Sequence, residues 1–463
     1  MGTSDVSDRI AQFICGAPPR EIDPASVESA QRLLVDAVGV ALAGIRDAEF
    51  AAIDAFVAEL GTADVPAPLG HRVSPGAAAL AYGAAIHLLD YDDILPEMGH
   101  SASVLVSAAL AMGHHCQSSG AEVLDAIAVG AEVGARLGLG MNPRFYNSGW
   151  HPTAVLGAVG AAATAARLAR LDPAQTANAL GLAATNASGM KATMGSTGKC
   201  LQVGVAARTG VDMVLLASAG GTGNRAMFEP QYGGFVTLFA PENTLPEAFG
   251  DIGERSEFVR QGVRLKFLPC CGSIHSPVFA TLDAVRGNGI DPHDIEAIIT
   301  EVDPQRLPHT DRPEVDEPLQ GKFSMQYCQA TAAATGALTL EDFSPQAIRE
   351  PLRRDLMKKV ELRPTEMPAG AGPSTGSRAA RVTVRVRGGR EFTSYVAAPI
   401  GAPQNPASDA DLDLKFTQCA SPSLGAERTA RLLTDLRGIE RFRSVRGVVE
   451  DMWNLDPQLR PAG

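Results

Sequence analysis

Three segments place residues able to move a proton or hold an anion where a helix begins. His100 directly precedes a helical segment starting near Ser101, and His151 directly precedes Pro152-Thr153, where another starts. Ser196-Thr197-Gly198-Lys199 leads into a third. A helix start offers unpaired N–H groups and partial positive charge, which together hold carboxylates or phosphates. Imidazole titrates near neutral pH. A lysine in a first turn is disfavoured by the helix dipole unless an anion compensates. If the three starts converge they form an anion pocket equipped for proton transfer, and convergence is a tertiary matter that spacing does not decide. Taken singly, each residue has a plainer reading: a capping or surface histidine at 100 and 151, and a solvated ammonium at Lys199. Lys266, within Val263-Arg264-Leu265-Lys266-Phe267, reads as an exposed position on an apolar segment, and Tyr327 in KFSMQYC as a half-buried helix aromatic.

The elements that must position these residues are helices up to about residue 265. Apolar residues recur at helical spacing over Val27–Leu42, Ala77–Leu89, Val104–Met112, Thr153–Leu171 and Leu201–Ala219. Ser74-Pro75 is a start signal, a capping hydroxyl followed by proline at the first helical position. After Lys266 the texture changes. Ala297–Val302 and Lys359–Leu362 read as strands, and 381–387, Gly388-Gly389, 390–397 as a hairpin with alternating valines. Phe323–Leu338 and Pro345–Lys358 supply helices between them, 364–378 is turn-rich, and the pattern turns helical again from Ser408. A mainly α fold is expected: a helical domain of 1–266 and 405–463, with a smaller α+β lid domain, 267–404, inserted before the last helices.

At 463 residues the chain exceeds the size of a single growing core. Hydrophobic residues at 45% and charged residues at 20% place it among globular proteins. Aromatics at 5%, with abundant alanine, favour closely packed helices. A formal charge of −12 argues against nucleic acid as a partner, because phosphate neutralisation needs a basic face. Ala154–Ala166, the most apolar stretch, is shorter than the roughly 20 residues of a membrane span and reads as a buried helix, so no membrane association is expected. The N-terminal MGTSDVSDRI lacks a signal pattern, and seven scattered cysteines read as reduced thiols, which points to the cytoplasm.

Other motifs fail on chemistry. Gly195-Ser196-Thr197-Gly198-Lys199 resembles the end of a phosphate loop, but Thr193 stands where its first glycine belongs and Cys200 where it needs Ser or Thr. Gly157 and Gly160 lie inside a helix with no preceding strand, and read as contact points for close packing rather than a dinucleotide fingerprint. Cys270-Cys271 lacks spaced partners for a cluster. His87 and Asp90 share a helix face and could hold a metal with Asp92 or Asp93, yet a solvated turn is the simpler reading of Asp90-Tyr91-Asp92-Asp93. No metal and no cofactor are expected.

Together, HLLDYDD followed by GHS, GWHPT, MKATMGSTGK, LKFLPCCGSIHS and KFSMQYC resemble the MmgE/PrpD family over nearly the whole chain. That family includes 2-methylcitrate dehydratase, cis-aconitate decarboxylase and iminodisuccinate epimerase. The resemblance implies a homodimer with its active site in the cleft between a large helical domain and a smaller lid. It assigns catalysis to Asp90, His100, His151, Lys199, Lys266 and Tyr327, with His275 as a further candidate that could equally be structural; Ser196 and Thr197 at the third helix start, Ile94 and His275 are taken as substrate contacts. Two positions depart from the family's habit: Ile94 stands where a threonine hydroxyl is common, and Ser101 where proline often follows the histidine. Exchanging a hydroxyl for a branched apolar chain changes which substrate group fits there.

Such chemistry moves a proton at carbon next to a carboxylate, or protonates the carbanion left by loss of CO2. Lys199, Lys266 and the helix starts would stabilise the developing charge, and His100, His151 and Tyr327 would carry protons. Asp90 would orient a histidine or join the transfer. The first expectation is a dehydratase-type lyase acting on a small di- or tricarboxylate; decarboxylation and epimerisation use the same parts. A carboxylate-binding helical dimer without catalysis is the reading from a different class. It needs cations but no paired acid–base groups.

Overall fold

The computed structural model describes residues 6–16, 23–239, 245–367 and 377–455. Most of the turn-rich 364–378 segment and the first five residues lie outside that range. The fold is mainly α, with a smaller α+β part, as the periodicities predict. Helices Pro24–Gly44, Pro75–Leu88, Ser101–Cys116, Gly120–Met141, Pro152–Leu168 and Thr197–Ser218 form the body, and Asp409–Leu424 and Ala426–Arg437 return to it from the C-terminal end. One apolar core runs from Val6 to Leu265 and is completed by residues between Leu412 and Leu455; a second is built from residues between Leu268 and Val386.

Small residues decide how closely these helices approach. A side-chain carbon on Gly83 would stand 2.7 Å from the Ser103 carbonyl oxygen, and one on Gly204 would stand 2.5 Å from that of Leu80. The helices carrying His87, His100 and Lys199 therefore meet backbone to backbone, a separation any larger residue would force open. Gly157 and Gly160 act similarly, against Val104 and against Met98 with Leu105. Pro152–Leu168 is buried along most of its length, which accounts for the apolar stretch within it. Ser74 caps the Pro75–Leu88 helix, accepting from the Ala77 N–H with Pro75 in the first turn. Among the described residues one helix, Thr197–Ser218, is long and apolar enough to cross a membrane, and half of it is packed inside the protein.

The α+β part carries a four-stranded sheet in the order Val360–Pro364, Ile295–Val302, Ala380–Val386, Glu391–Val396. The first pair is parallel, Ile298 facing Val360, and the other two are antiparallel, Ile298 facing Val384 and Val384 facing Phe392. The Gly388-Gly389 turn has φ of 84° and 77°, the left-handed conformation a two-residue hairpin needs and glycine adopts without steric cost. Helices His275–Gly287 and Met325–Thr335 contribute to the core beneath the sheet.

Candidate active site

The Asp90–Asp93 segment is no solvated turn: Asp90, Asp92 and Asp93 are all buried. It links the end of Pro75–Leu88 to the start of Ser101–Cys116, so carboxylates unfavourable at one helix end serve the next. Asp93 accepts from Ser101 N–H (3.2 Å), Ser101 Oγ (2.6 Å) and Ala102 N–H (2.8 Å). Burial, and next the charge of Asp92, lift its carboxyl to about 7 against those donors. From the C-terminal helix, Lys415 reaches back to the Tyr91 carbonyl at 2.9 Å and to Asp36 at 2.6 Å.

Asp90 adopts φ 52°, a left-handed conformation that a short polar side chain tolerates. Its carbonyl accepts from Lys266 Nζ at 2.9 Å, and its carboxylate lies 3.2 Å from the same ammonium and 2.7 Å from Lys199 Nζ. Burial alone would raise the Asp90 carboxyl; Lys199 and Lys266 outweigh it and hold it well below the usual range. Lys266, buried rather than exposed, is raised in turn: burial lowers it, and Asp90 and Asp92 more than compensate.

His87 connects this pair to Asp92. Its Nε2 lies 2.8 Å from Lys199 Nζ, and its Nδ1 lies 2.7 Å from Asp92 Oδ2. Since lysine only donates and an ionised carboxylate only accepts, His87 carries its proton on Nδ1. Burial pushes it down to about 3, keeping it neutral. The other oxygen of Asp92 stands 3.1 Å from His100 Nδ1, so a single carboxylate faces two imidazoles. Asp92 is held well below the ordinary range, burial being outweighed by His87 and His100. The His100 and His151 rings lie 4.5 Å and 6.0 Å from that of His87, and His100 N–H donates to Thr153 Oγ1 at 3.0 Å, tying two helix starts together. The three starts converge.

His151 receives a different partner. The Met190 N–H donates to Gln202 Oε1 at 2.9 Å, which fixes the amide orientation and turns Gln202 Nε2 toward His151 Nδ1 at 3.1 Å. Nδ1 must accept, so the His151 proton sits on Nε2. Burial, then the proximity of His87 and Lys199, keep this imidazole neutral.

The remaining predicted positions lie elsewhere. Ile94 lines a cavity with Lys266 and His275, and its backbone pairs with Arg264 (N–H to O, 2.8 Å and 2.9 Å). His275 is buried at the start of its helix, Nε2 3.2 Å from the Cys270 carbonyl. Ser196 Oγ donates to the Thr193 carbonyl at 2.7 Å and Thr197 Oγ1 to Glu49, so both hydroxyls are engaged by partners other than the histidines. Tyr327 is not brought to the cluster: fully buried in the second core against Phe343, its hydroxyl donates to the Asp342 carbonyl and accepts from Arg353 at 3.2 Å. From the same segment it is Phe323 that reaches the site, its ring 5.5 Å from Lys199 Nζ.

His87, Asp92 and His100 have donor atoms within 4.8 Å of one another, a set able to hold a divalent cation. Two ammonium groups on the adjacent Asp90 oppose a further dication. Sequence reasoning did not assign Asp92 or Gln202 to the site. HLLDYDD flagged Asp92, but nothing in the sequence pairs Gln202 with His151, because that contact crosses 51 residues.

Two family models match the chain, the MmgE/PrpD N-terminal domain over residues 8–246 and the MmgE/PrpD C-terminal domain over residues 268–437. The chain belongs to the MmgE/PrpD family. Similar proteins include a cis-aconitate decarboxylase-like protein, oryM, of Aspergillus oryzae, 28% identical over 95% of this chain and 96% of its own length. The cis-aconitate decarboxylase of Homo sapiens is 26% identical over 95% and 93%, and that of Aspergillus terreus 28% identical over 82% of each. Family and relatives make this an enzyme of decarboxylase or dehydratase type acting on small acids.

Proposed function

We propose that the chain is a lyase for a small di- or tricarboxylate, with His100 as the base and His151 as the acid. The observation that carries this reading is the different partner at Nδ1 of each imidazole, a carboxylate from Asp92 beside His100 and an amide from Gln202 beside His151. Ionised Asp92, 3.1 Å from His100 Nδ1, favours the proton on that nitrogen, with Nε2 as the lone pair; the Gln202 amide N–H beside His151 Nδ1 favours the proton on Nε2 there. A neutral acceptor and a neutral donor thus share one cluster, beside two ammonium groups able to stabilise an enolate-like carboxylate. Asp90 keeps those ammonium groups side by side.

As a decarboxylase, the enzyme breaks the bond between carbon and a carboxylate, which leaves as CO2. The electron pair passes to a carbon conjugated with a remaining carboxylate, facing Lys199 or Lys266, and His151 Nε2–H protonates it. The names of the relatives favour this variant. The dehydratase variant uses the same groups: His100 removes a proton beside a carboxylate and His151 protonates the departing hydroxyl, giving water and an alkene. Epimerisation would need only the two proton transfers. Every group these steps require is a side chain, so the reading calls for no cofactor. A carboxylate binder would not need two imidazoles set in opposite tautomers.

Incubating the purified protein with cis-aconitate, hydroxy-tricarboxylates and chiral dicarboxylates in D2O, followed by NMR, tests the reading. Loss of a carboxyl carbon, alkene formation or deuterium uptake identifies the variant. Tight binding with no exchange in any acid would leave the binder.

The same reading takes 1–266 with 405–463 as the helical domain and 267–404 as a lid closing over the histidines, in a cytoplasmic homodimer. Met190, Val205 and Leu216, on or beside the Thr197–Ser218 helix, are exposed apolar side chains that a second copy would cover. Light scattering on the purified chain tests the dimer.

A further inference from the structure

Asp92 can orient His100 only if its own backbone is held, and Asp90–Asp93 is neither helix nor strand. Two consecutive carbonyls of this segment are each gripped by a lysine from far along the chain. Lys266 Nζ donates to the Asp90 carbonyl at 2.9 Å, and Lys415 Nζ donates to the Tyr91 carbonyl at 2.9 Å. Lys266 already belongs to the site. Lys415 instead pairs with Asp36 at 2.6 Å, and both of these side chains are buried.

Lys415 lies on the Asp409–Leu424 helix and Asp36 on Pro24–Gly44. Further contacts lock these helices together. A side-chain carbon on Gly39 would stand 3.0 Å from Phe416 Cδ2, and Ser423 Oγ donates to the Leu42 carbonyl at 2.6 Å. Tyr91 packs against the same pair of helices, in a small apolar cluster with Val40, Ala43, Leu89 and Cys419. The centre of its ring lies 4.1 Å from Lys415 Nζ. Ring and carbonyl are therefore both held, on the residue that separates Asp90 from Asp92.

Stability alone does not explain the Asp36–Lys415 pair. Asp36 Oδ2 is buried without a hydrogen-bond partner, and apolar residues of similar size in place of a buried ion pair are often neutral or stabilising. What an apolar pair cannot supply is a donor to the Tyr91 carbonyl. Burial raises the Asp36 carboxyl and Lys415 opposes this only in part, so loss of the lysine leaves a neutral acid rather than a stranded charge.

We infer that Lys415 is a positioning residue: through the Tyr91 carbonyl it fixes the Tyr91–Asp92 peptide, and with it the carboxylate that stands 3.1 Å from His100 Nδ1. Asp36 holds the ammonium in place. The inference rests on the reading of His100 as the base, and it gives the C-terminal helix a part in the reaction without contact to the reacting atoms.

The test replaces the pair by apolar residues, Asp36→Leu with Lys415→Met, in the full chain. The double variant should keep a urea midpoint near that of wild type, while kcat falls roughly 10- to 100-fold with KM little changed. Should it fail to fold, Lys415→Met alone, with Asp36 protonated, takes its place. Nitrogen-15 NMR of labelled histidines reads the same event without turnover. His100 should change from one tautomer to a mixture, while His87, faced by Lys199, and His151, faced by Gln202, keep theirs. A kcat within about threefold of wild type, or a change confined to KM, would overturn the positioning role. So would a His100 signal that stays as in wild type, or one that moves together with His151. A wild type that turns over none of the acids removes the lyase instead, and the NMR comparison then decides the role of Lys415 by itself.

Discussion

Gln202 donates to Nδ1 of His151 at 3.1 Å, and that bond decides which nitrogen of the imidazole carries the proton. Gln202→Leu removes the donor, and His151 can then adopt either tautomer. Turnover should fall by roughly 10²-fold with KM little changed, because the donated proton is needed in the transition state rather than for binding. Steady-state kinetics on the substrate found in the D2O panel checks this; a change confined to KM would contradict it.

His100 must be neutral to act as a base. Burial lowers its pKa and Asp92 partly opposes that shift, so the acid limb of kcat/KM should lie below the ordinary imidazole range. Asp92→Asn removes the opposing charge and should move the limb to lower pH still, while cutting the rate by roughly 10²-fold through lost orientation. A pH–rate profile of both proteins gives the direction, and a limb moving upward would exclude the assignment.

Asp93 predicts a pH dependence of stability. Its folded pKa of about 7 exceeds the unfolded value of 3.8, so the folded state holds the proton more tightly. Stability from this group is therefore fully present below the unfolded pKa and is lost as pH rises toward 7, at most about 4 kcal/mol in all. Asp93→Asn keeps an acceptor for the helix start but cannot ionise. Urea unfolding between pH 4 and 8 should show a downward slope in the wild type that the variant lacks.

Lys199→Met leaves Asp90 with Lys266 as its remaining close cation and His87 Nε2 without its donor. Removing one partner of a buried pair typically costs about 3–5 kcal/mol. Chemical denaturation at neutral pH should show a loss of that order, and the loss should shrink under acid conditions where the Asp90 carboxylate takes up a proton. A loss independent of pH would mean that packing, not charge, is what Lys199 contributes.

Much of this molecule was legible in its residues, because the information was local. Helical periodicity, the Ser74-Pro75 start and the Gly388-Gly389 hairpin depend on neighbours a few positions apart, and they appear where the pattern puts them. His100, His151 and Lys199 could be singled out because each sits at a helix start, whose electrostatics can be read without coordinates.

Tertiary structure alone decided what those residues do. Asp90–Asp93 read as a solvated turn because three aspartates around one tyrosine carry no mark of burial; Lys199, Lys266 and Lys415, brought from far along the chain, are what meet this segment inside the protein. Tyr327 looked ready for proton transfer by type, yet its helix turns it into the second core. The tautomers of His87 and His151 follow from Lys199, Asp92 and Gln202, and the Lys199 and Gln202 contacts come from far along the chain. Residue type sets which protons can move; only folding fixes the partner of each nitrogen, and with it the direction of transfer.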